Sequence, residues 1–385
     1  MDSVEKLYIL ILLLTIPACL LVRFALPSHL RSYACGLLGL LTTGYICNVG
    51  VHYMIGVSAL CLVILPLHLA ARLLPIFSFA CLLPARYVYQ FDGPSNAMVL
   101  ILTLRVSMFG CDLTDEVVIP SSRVDLVFSK FLPYVYSLPG IFTGPIYPFT
   151  IFAKGCTSDA PVPWLTIAKL IALALVAGIS NILLTPTFTW LRVETMSFIE
   201  TLGLLCIAPL YFRARCYFAW YLTEAALTSL DCVRDGWGTN FIEPLGLEKA
   251  NFMRKTVFHW NASVQGFLGK YAFGRMKAWK LRRFFTFLLA AWWHGTDVGI
   301  YIFFIGYLSA QWLESFYHDL LPTSLAWLQC QLITNWLTAA FIYKADFAGF
   351  WNMSSRTYHI VPAGAVLMAV VGSLWTRQIN NKQVD

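Results

Sequence analysis

The chain has 385 residues, of which 58% are hydrophobic and only 12% charged, with a formal net charge of +7 and a mean hydropathy of +0.68. A soluble domain carries about 25% charged residues, so an ordinary soluble enzyme is excluded. A disordered chain is excluded too, because 13 Trp, 18 Tyr and 28 Phe need an apolar interior or lipid around them. No CxxC pair occurs among the 11 cysteines. They read as free thiols in apolar surroundings rather than as a disulfide framework or a zinc site, and no metal is expected.

A membrane-spanning helix needs about 20 apolar residues. The first candidate is Leu7–Val22, extended by Arg23, which can snorkel. The apolar pattern resumes directly after it, so it reads as a span and not as a signal peptide. Ser32–Ala71 is charge-free, with Asn48-Val49-Gly50 as a natural turn in its middle. Leu73–Tyr89 and Ala97–Gly110 follow. Phe131–Phe152 carries Pro133, Pro139, Gly140, Gly144, Pro145 and Pro148, and cannot be one straight helix. Irregular backbone at membrane depth is tolerated only when buried in protein or lining a cavity. This segment reads either as a kinked packing element or as the wall of an acyl tunnel. Leu170–Leu191, Met196–Phe212, Cys216–Leu230, Phe284–Gly295, Val298–Leu313, Leu320–Tyr343 and Thr357–Thr376 complete the series. The expectation is a single domain over residues 1–385 and an all-α polytopic membrane protein. About ten transmembrane or re-entrant helices would surround an internal catalytic chamber.

Charge is unevenly spread. Lys249–Arg283 holds nine Lys or Arg and no Asp or Glu, which makes it cytosolic under the positive-inside rule. Arg23, Arg31 and Arg72 flank the first spans on a shared side and place the N-terminus on the opposite, lumenal side. Gly236–Leu247 is the one good loop candidate in the polar middle. Nucleic-acid binding is not expected, because no soluble domain is available to present a groove-reading element.

Of seven histidines, only His294 sits in a setting that reads as chemical. It ends the apolar run Phe284–Gly295, between Trp293 and Gly295. A neutral imidazole in a dry site is a capable general base, and an ionisable group at membrane depth is a functional hypothesis by default. The alternative is a core histidine bonded to a backbone carbonyl. A second polar group is Trp260-Asn261-Ala-Ser-Val-Gln265, where a helix would put Asn261 and Gln265 on one face beside Trp260. Amides on an apolar face need partners. The competing readings are interhelical glue and a glycosylation sequon at Asn261-Ala-Ser263, the latter at odds with the basic surroundings. Arg213, Arg215 and Glu224 are charges within an aromatic, apolar region. They read as an internal ion pair or as holders of an anionic headgroup.

Trp260-Asn261, followed about thirty residues later by Trp293-His294-Gly295, resembles the membrane-bound O-acyltransferase family, in which an Asn and a His in this order form the catalytic pair. Tyr8–Leu21, Tyr134–Phe149 with its Thr143-Gly144-Pro145, and Arg213-Ala-Arg215-Cys-Tyr217-Phe-Ala-Trp220 resemble its lysophospholipid branch, the lysophosphatidylinositol acyltransferases most of all. The resemblance covers roughly residues 7 to 315. Members of this branch often read His-Gly-x-x-Pro-Gly, whereas this chain has Val298 at the proline position.

The resemblance implies transfer of a fatty acyl group, polyunsaturated and arachidonoyl-like, from acyl-CoA to the free hydroxyl of a lysophospholipid. Lysophosphatidylinositol is the preferred acceptor, and choline, serine and ethanolamine headgroups are the alternatives. His294 would take the hydroxyl proton, and Asn261 would orient the acceptor or donate to the developing oxyanion. CoA thiolate is a good leaving group, so neither a covalent intermediate nor a cofactor is required, and no GxSxG elbow is present. Candidate substrate contacts are Trp260, Gln265, Trp293, Arg213, Arg215 and Tyr217. Lys270, Arg275, Lys277, Lys280, Arg282 and Arg283 could receive the CoA phosphates, or serve only as anchors on anionic lipid. An endoplasmic reticulum membrane location follows from the resemblance alone. A lipid transporter or non-catalytic scaffold is the different-class alternative, since broken helices suit transporters too, although no inverted repeat is found.

Overall fold

The computed structural model describes residues 3–89, 93–118, 121–190, 197–233, 237, 243–342, 347–357 and 359–382. The described residues contain no strand, and the protein is an all-α polytopic membrane protein. In chain order the helices are α1 (Ser3–Ala25), α2 (Ser28–Ile46), α3 (Val49–Ile64), α4 (Leu67–Ala80), α5 (Leu82–Tyr87), α6 (Gly93–Thr114), α7 (Arg123–Asp125), α8 (Leu132–Val135), α9 (Phe149–Thr157) and α10 (Trp164–Trp190). They continue with α11 (Phe198–Ser229), α12 (Pro244–Glu248), α13 (Met253–His259), α14 (Ala262–Phe267), α15 (Arg282–His294), α16 (Val298–Glu314), α17 (Thr323–Ile342), α18 (Phe347–Arg356) and α19 (Ile360–Lys382).

Among the described residues, five stretches are long and apolar enough to cross a membrane: Lys6–Ala25, Leu67–Tyr87, Gly93–Thr114, Trp164–Thr185 and Phe198–Ser229. The exposed faces of these helices are apolar, with Leu14, Leu21, Ile76, Leu165 and Leu183 each more than half exposed, as lipid contact requires.

Two expectations for the spans need correction. Met196–Phe212 and Cys216–Leu230 are not separate spans but parts of the single 32-residue helix α11. The charges that divide them in sequence, Arg213 and Arg215, are carried on an unbroken helix, because Arg213 is neutralised within the protein. The Ser32–Ala71 stretch breaks twice rather than once. Asn48 caps α3, its side chain accepting from Gly50 N at 2.8 Å, and a second break falls at Leu65-Pro66, before α4. The Gly236–Leu247 loop is met in part: Pro244–Glu248 is helical, while residues 238–242 lie outside the described residues.

The chain forms two compact units interleaved in sequence. The first comprises Met1–Val176, Tyr217–Phe241 and Ser263–Tyr271. Its centre is the Pro/Gly segment, which runs as α8 and then as irregular backbone to α9. Gly36 and Gly39 of α2 admit it: a Cβ on Gly36 would lie 2.6 Å from Pro133 Cα, and one on Gly39 1.7 Å from Tyr136 O. The carbonyls freed by the broken helix are gathered by Arg105, which projects from α6 and is fully buried. Its guanidinium donates to Val135 O at 3.0 Å and Ser137 O at 2.9 Å. It also donates to Pro139 O at 2.7 Å and to the Tyr147 hydroxyl at 3.1 Å. Tyr134 OH donates to Tyr147 O at 2.7 Å, closing the network. The same unit gathers thiols that are far apart in sequence: Cys156 interacts with Cys35 and Cys232, and Cys19 is within electrostatic range of the same two. All four are free and buried.

The second unit comprises Ala177–Cys216, Ile242–Ala262 and Ala272–Asp385. Its core is built by Met253 of α13, Tyr307 and Ala310 of α16, Cys330, Ile333 and Leu337 of α17, and Val361 and Ala365 of α19. The α16–α17 approach is close, because a Cβ on Gly306 would lie 2.5 Å from Leu337 Cδ2. From α17, Gln331 Nε2 donates to Leu247 O and Ala250 O, both at 3.2 Å, and Trp327 Nε1 donates to Glu248 O at 2.7 Å. These bonds satisfy the open carbonyls at the end of α12.

Hydrogen bonds from a charged donor are worth about 1.5–3 kcal/mol each, and the carbonyls left behind would be buried without partners. Arg105→Met keeps the side-chain bulk and removes every donor. It should lower the unfolding temperature in detergent by about 10 °C, read by thermal-shift size-exclusion chromatography, while Arg105→Lys should recover only part of the loss.

Candidate active site

His294 is the last residue of α15, and the chain leaves the helix through Gly295 in extended backbone (φ 170°). A Cβ at Gly295 would meet Ile300 Cδ1 at 2.3 Å, so the turn from α15 into α16 is packed against the first turn of α16. The proline common in this branch is absent and Val298 opens α16 in its place, so the turn is shaped by the Gly295–Ile300 contact.

The imidazole is half-buried and walled by rings. Trp293, itself buried, lies with its ring centroid 4.5 Å from that of His294. Phe304 of α16 stacks on His294 at 5.3 Å with an interplanar angle of 28°. Phe341 of α17 meets it edge-on at 5.3 Å and 87°. The wall continues away from the histidine: Phe341 contacts Phe212 of α11 at 5.9 Å, and Phe212 contacts Trp260 at 6.2 Å. The Trp260-Asn261 and Trp293-His294 motifs, about thirty residues apart in sequence, thus join one aromatic wall inside the second unit.

Asn261 stands at a corner. α13 ends at His259, Trp260 is extended (φ −106°, ψ 127°), and Asn261 occupies the left-handed region at φ 51°. Asparagine tolerates that region better than any other non-glycine residue except Asp or His. The helix restarts at Ala262. The expected shared helical face of Asn261 and Gln265 is therefore not formed, because Asn261 is not helical; Gln265 lies within α14 and is half-buried. Ser263, buried at 2% exposure, accepts from Ile146 N at 3.0 Å and holds the start of α14 to the Pro/Gly segment.

The remaining candidates fall into separate places. Arg213 is buried and forms an ion pair with Glu248 at 2.6 Å, and it also donates to Asn335 Oδ1 at 2.8 Å. Its partner is Glu248, not Glu224. Arg215 is exposed and Tyr217 half-buried on α11. In the first unit, Lys270 is exposed and lies 3.9 Å from Asp112 Oδ1, to which the Tyr271 hydroxyl donates at 2.9 Å. Burial pushes the Tyr271 hydroxyl well above its ordinary value, and the Asp112 carboxylate acts in the same direction. In the second unit, Arg275, Lys277, Lys280 and Arg283 are exposed. Arg282 lies over the Phe273 ring at 4.2 Å, and Arg283 donates to Gln311. The sequence reading missed Phe212, Phe304 and Phe341, which complete the wall. Each is one apolar residue in an apolar helix, and nothing in its local pattern distinguishes it.

Comparison with known proteins gives the family. Residues 98–345 match the family described as MBOAT, membrane-bound O-acyltransferase family, and the chain belongs to that family. It is an acyltransferase. Among similar proteins is the membrane-bound acylglycerophosphatidylinositol O-acyltransferase mboat7 of Danio rerio, 25% identical with 79% of this chain and 78% of that protein covered. The corresponding MBOAT7 of Bos taurus is 22% identical, with 97% of this chain and 90% of that protein covered. A lysophospholipid acyltransferase of Schizosaccharomyces pombe is 23% identical over 57% of this chain and 52% of its own length.

The Arg213–Glu248 pair yields a stability test. In a double-mutant cycle, Arg213→Met and Glu248→Gln should be non-additive by roughly 1–2 kcal/mol, measured by denaturation in detergent. Full additivity would show that the pair is not coupled.

Proposed function

We propose that this acyltransferase moves a fatty acyl group, polyunsaturated and arachidonoyl-like, from acyl-CoA to the free hydroxyl of lysophosphatidylinositol in the endoplasmic reticulum membrane. The observation that carries the chemistry is the aromatic wall that joins His294 to the Trp260-Asn261 corner. The relatives in fish and cattle, named as acylglycerophosphatidylinositol O-acyltransferases, support the inositol headgroup, and the fission-yeast relative supports the wider lysophospholipid class.

In this reading an imidazole nitrogen of His294 takes the acceptor hydroxyl proton as the oxygen attacks the thioester carbonyl. A C–O bond forms, the carbonyl π pair moves to oxygen, and Asn261 orients the acceptor or donates to that oxygen. The tetrahedral centre collapses, the C–S bond breaks, and the CoA thiolate takes the proton from the imidazolium. Donor and acceptor end as CoA thiol and diacyl phospholipid, with no covalent enzyme intermediate. The rings around His294 exclude water, which suppresses thioester hydrolysis as a competing reaction. The exposed cations Arg275, Lys277, Lys280 and Arg283, with Arg282, are proposed to receive the CoA phosphates from the cytosolic side. Trp260, Trp293 and Arg215 are proposed acceptor contacts.

The test is acyl transfer by the purified full chain in detergent, with radiolabelled arachidonoyl-CoA and a panel of lysophospholipids. Product with lysophosphatidylinositol is expected. His294→Ala should lower kcat by about 10²–10⁴ and Asn261→Ala by about 10², with unfolding temperatures close to wild type. Product with a choline, serine or ethanolamine headgroup alone would keep the mechanism and overturn the headgroup. Undiminished transfer by His294→Ala would remove the base, and no transfer to any acceptor would favour a transporter or scaffold.

A further inference from the structure

Glu314 closes α16 and is fully buried at 0% exposure. Both of its carboxylate oxygens accept from one amide, Met253 N, at 3.1 and 2.9 Å. Met253 is the first residue of α13, so its N–H has no partner within its own helix. A carboxylate delivered from another helix, seventeen residues after Asp297, supplies that partner.

A second contact joins the same two helices. The Tyr307 hydroxyl of α16 is hydrogen-bonded to Thr256 Oγ1 of α13 and reaches Thr334 Oγ1 of α17 at 3.1 Å. Tyr307 and Glu314 are two helical turns apart on one face of α16, and Met253 and Thr256 are neighbours on one face of α13. Two fixed points define the direction of α13, whereas one would leave it free to pivot. Apolar packing of Met253 against Tyr307, Ala310 and Cys330 fills the space between them.

The two clamped helices are those that frame the site. α13 runs directly into Trp260 and Asn261, and α16 is the helix that follows His294 and supplies Phe304 to its ring wall. We propose that Glu314, assisted by Tyr307, is a positioning residue for acyl transfer: it sets the corner that carries Asn261 relative to His294 through α13 and α16. The inference rests on the reading of His294 and Asn261 as the chemical pair. Glu314 touches no reacting atom in this reading, and its effect passes through the backbone of α13.

The experiment measures kcat and KM of the purified full chain in detergent, with arachidonoyl-CoA and lysophosphatidylinositol, for Glu314→Ala, Glu314→Gln and Tyr307→Phe. Each is also made in the Asn261→Ala background. Misplacement of a reacting group by about 1 Å can cost on the order of 10²-fold, so Glu314→Ala should lower kcat by about 10–100-fold, with KM for acyl-CoA within about twofold of wild type. Glu314→Gln, which keeps one acceptor oxygen for Met253 N, should recover part of that loss. In the Asn261→Ala background the same substitutions should cost about threefold or less, because the group they position is gone. Unchanged kcat in Glu314→Ala, or a loss that multiplies fully with that of Asn261→Ala, overturns the proposal and leaves Glu314 a structural residue. If Glu314→Ala does not fold, Tyr307→Phe, which removes one hydroxyl, decides by the same cycle. Wild-type activity in both Asn261→Ala and His294→Ala would overturn the underlying reading of the site, an outcome distinct from failure of the clamp.

Discussion

A backbone amide or carbonyl placed in hydrocarbon must find its hydrogen-bond partner inside the chain, since lipid offers none. Continuous helices meet this constraint without help. A protein that must do chemistry at membrane depth cannot be made only of continuous helices, because its reacting groups have to converge from several directions. At three helix interruptions among the described residues, a polar side chain arrives from another element to satisfy the loose end. Arg105 does so for the carbonyls of 135–139. Gln331 and Trp327 do so for the end of α12, and Glu314 does so for the first amide of α13. Arg105, Gln331 and Glu314 are buried and polar, and each fixes the geometry of an irregular segment.

The same constraint explains where the candidate site lies. α13 and α14 could have been one helix, but the chain turns at Trp260 and Asn261, and the left-handed residue at the turn is an asparagine. The side chain of a residue at such a corner is not bound to the periodicity of either helix. His294 is likewise at a helix end, with Gly295 allowing α16 to begin close by. Both members of the pair are therefore at termini, where a side chain can leave its helix face, and the aromatic wall from Trp260 through Phe212 and Phe341 to His294 supplies a dry flank.

The sequence made the spans and the two motifs legible for definite reasons. Long charge-free runs can only be helices in lipid, and α1, α10 and α17 lie where those runs are. The prolines and glycines of Phe131–Phe152 forbid a straight helix, and none forms. Continuity across Arg213 was not legible, because the partner that neutralises it, Glu248, is thirty-five residues away in sequence. Nor was the Asn261 corner: Trp260-Asn261 has no proline or glycine to mark a break, and helix periodicity alone argues for a continuous face with Gln265. The ring wall was hidden for another reason. In a chain with 28 Phe, the three that complete the wall have no local signature, and only tertiary packing selects them.

Glu314 shows how far local reading can reach. In sequence it is an acidic residue at the end of an apolar helix, between Leu313 and Ser315, and the simplest expectation is a solvated helix end. Instead it is fully buried, and the cost of taking a carboxylate out of water is offset in part by an amide that would otherwise be unpaired itself. Each group answers the other's requirement. Replacing Glu314 by an apolar residue strands the Met253 amide, which is a larger penalty than the net worth of the bond. Such a reciprocal arrangement holds α13 against α16, and rigidity is what the proposed pair, carried at two helix ends, would need. The buried polar residues that satisfy interrupted helices and the residues that hold the reacting groups in place are thus selected by one physical requirement.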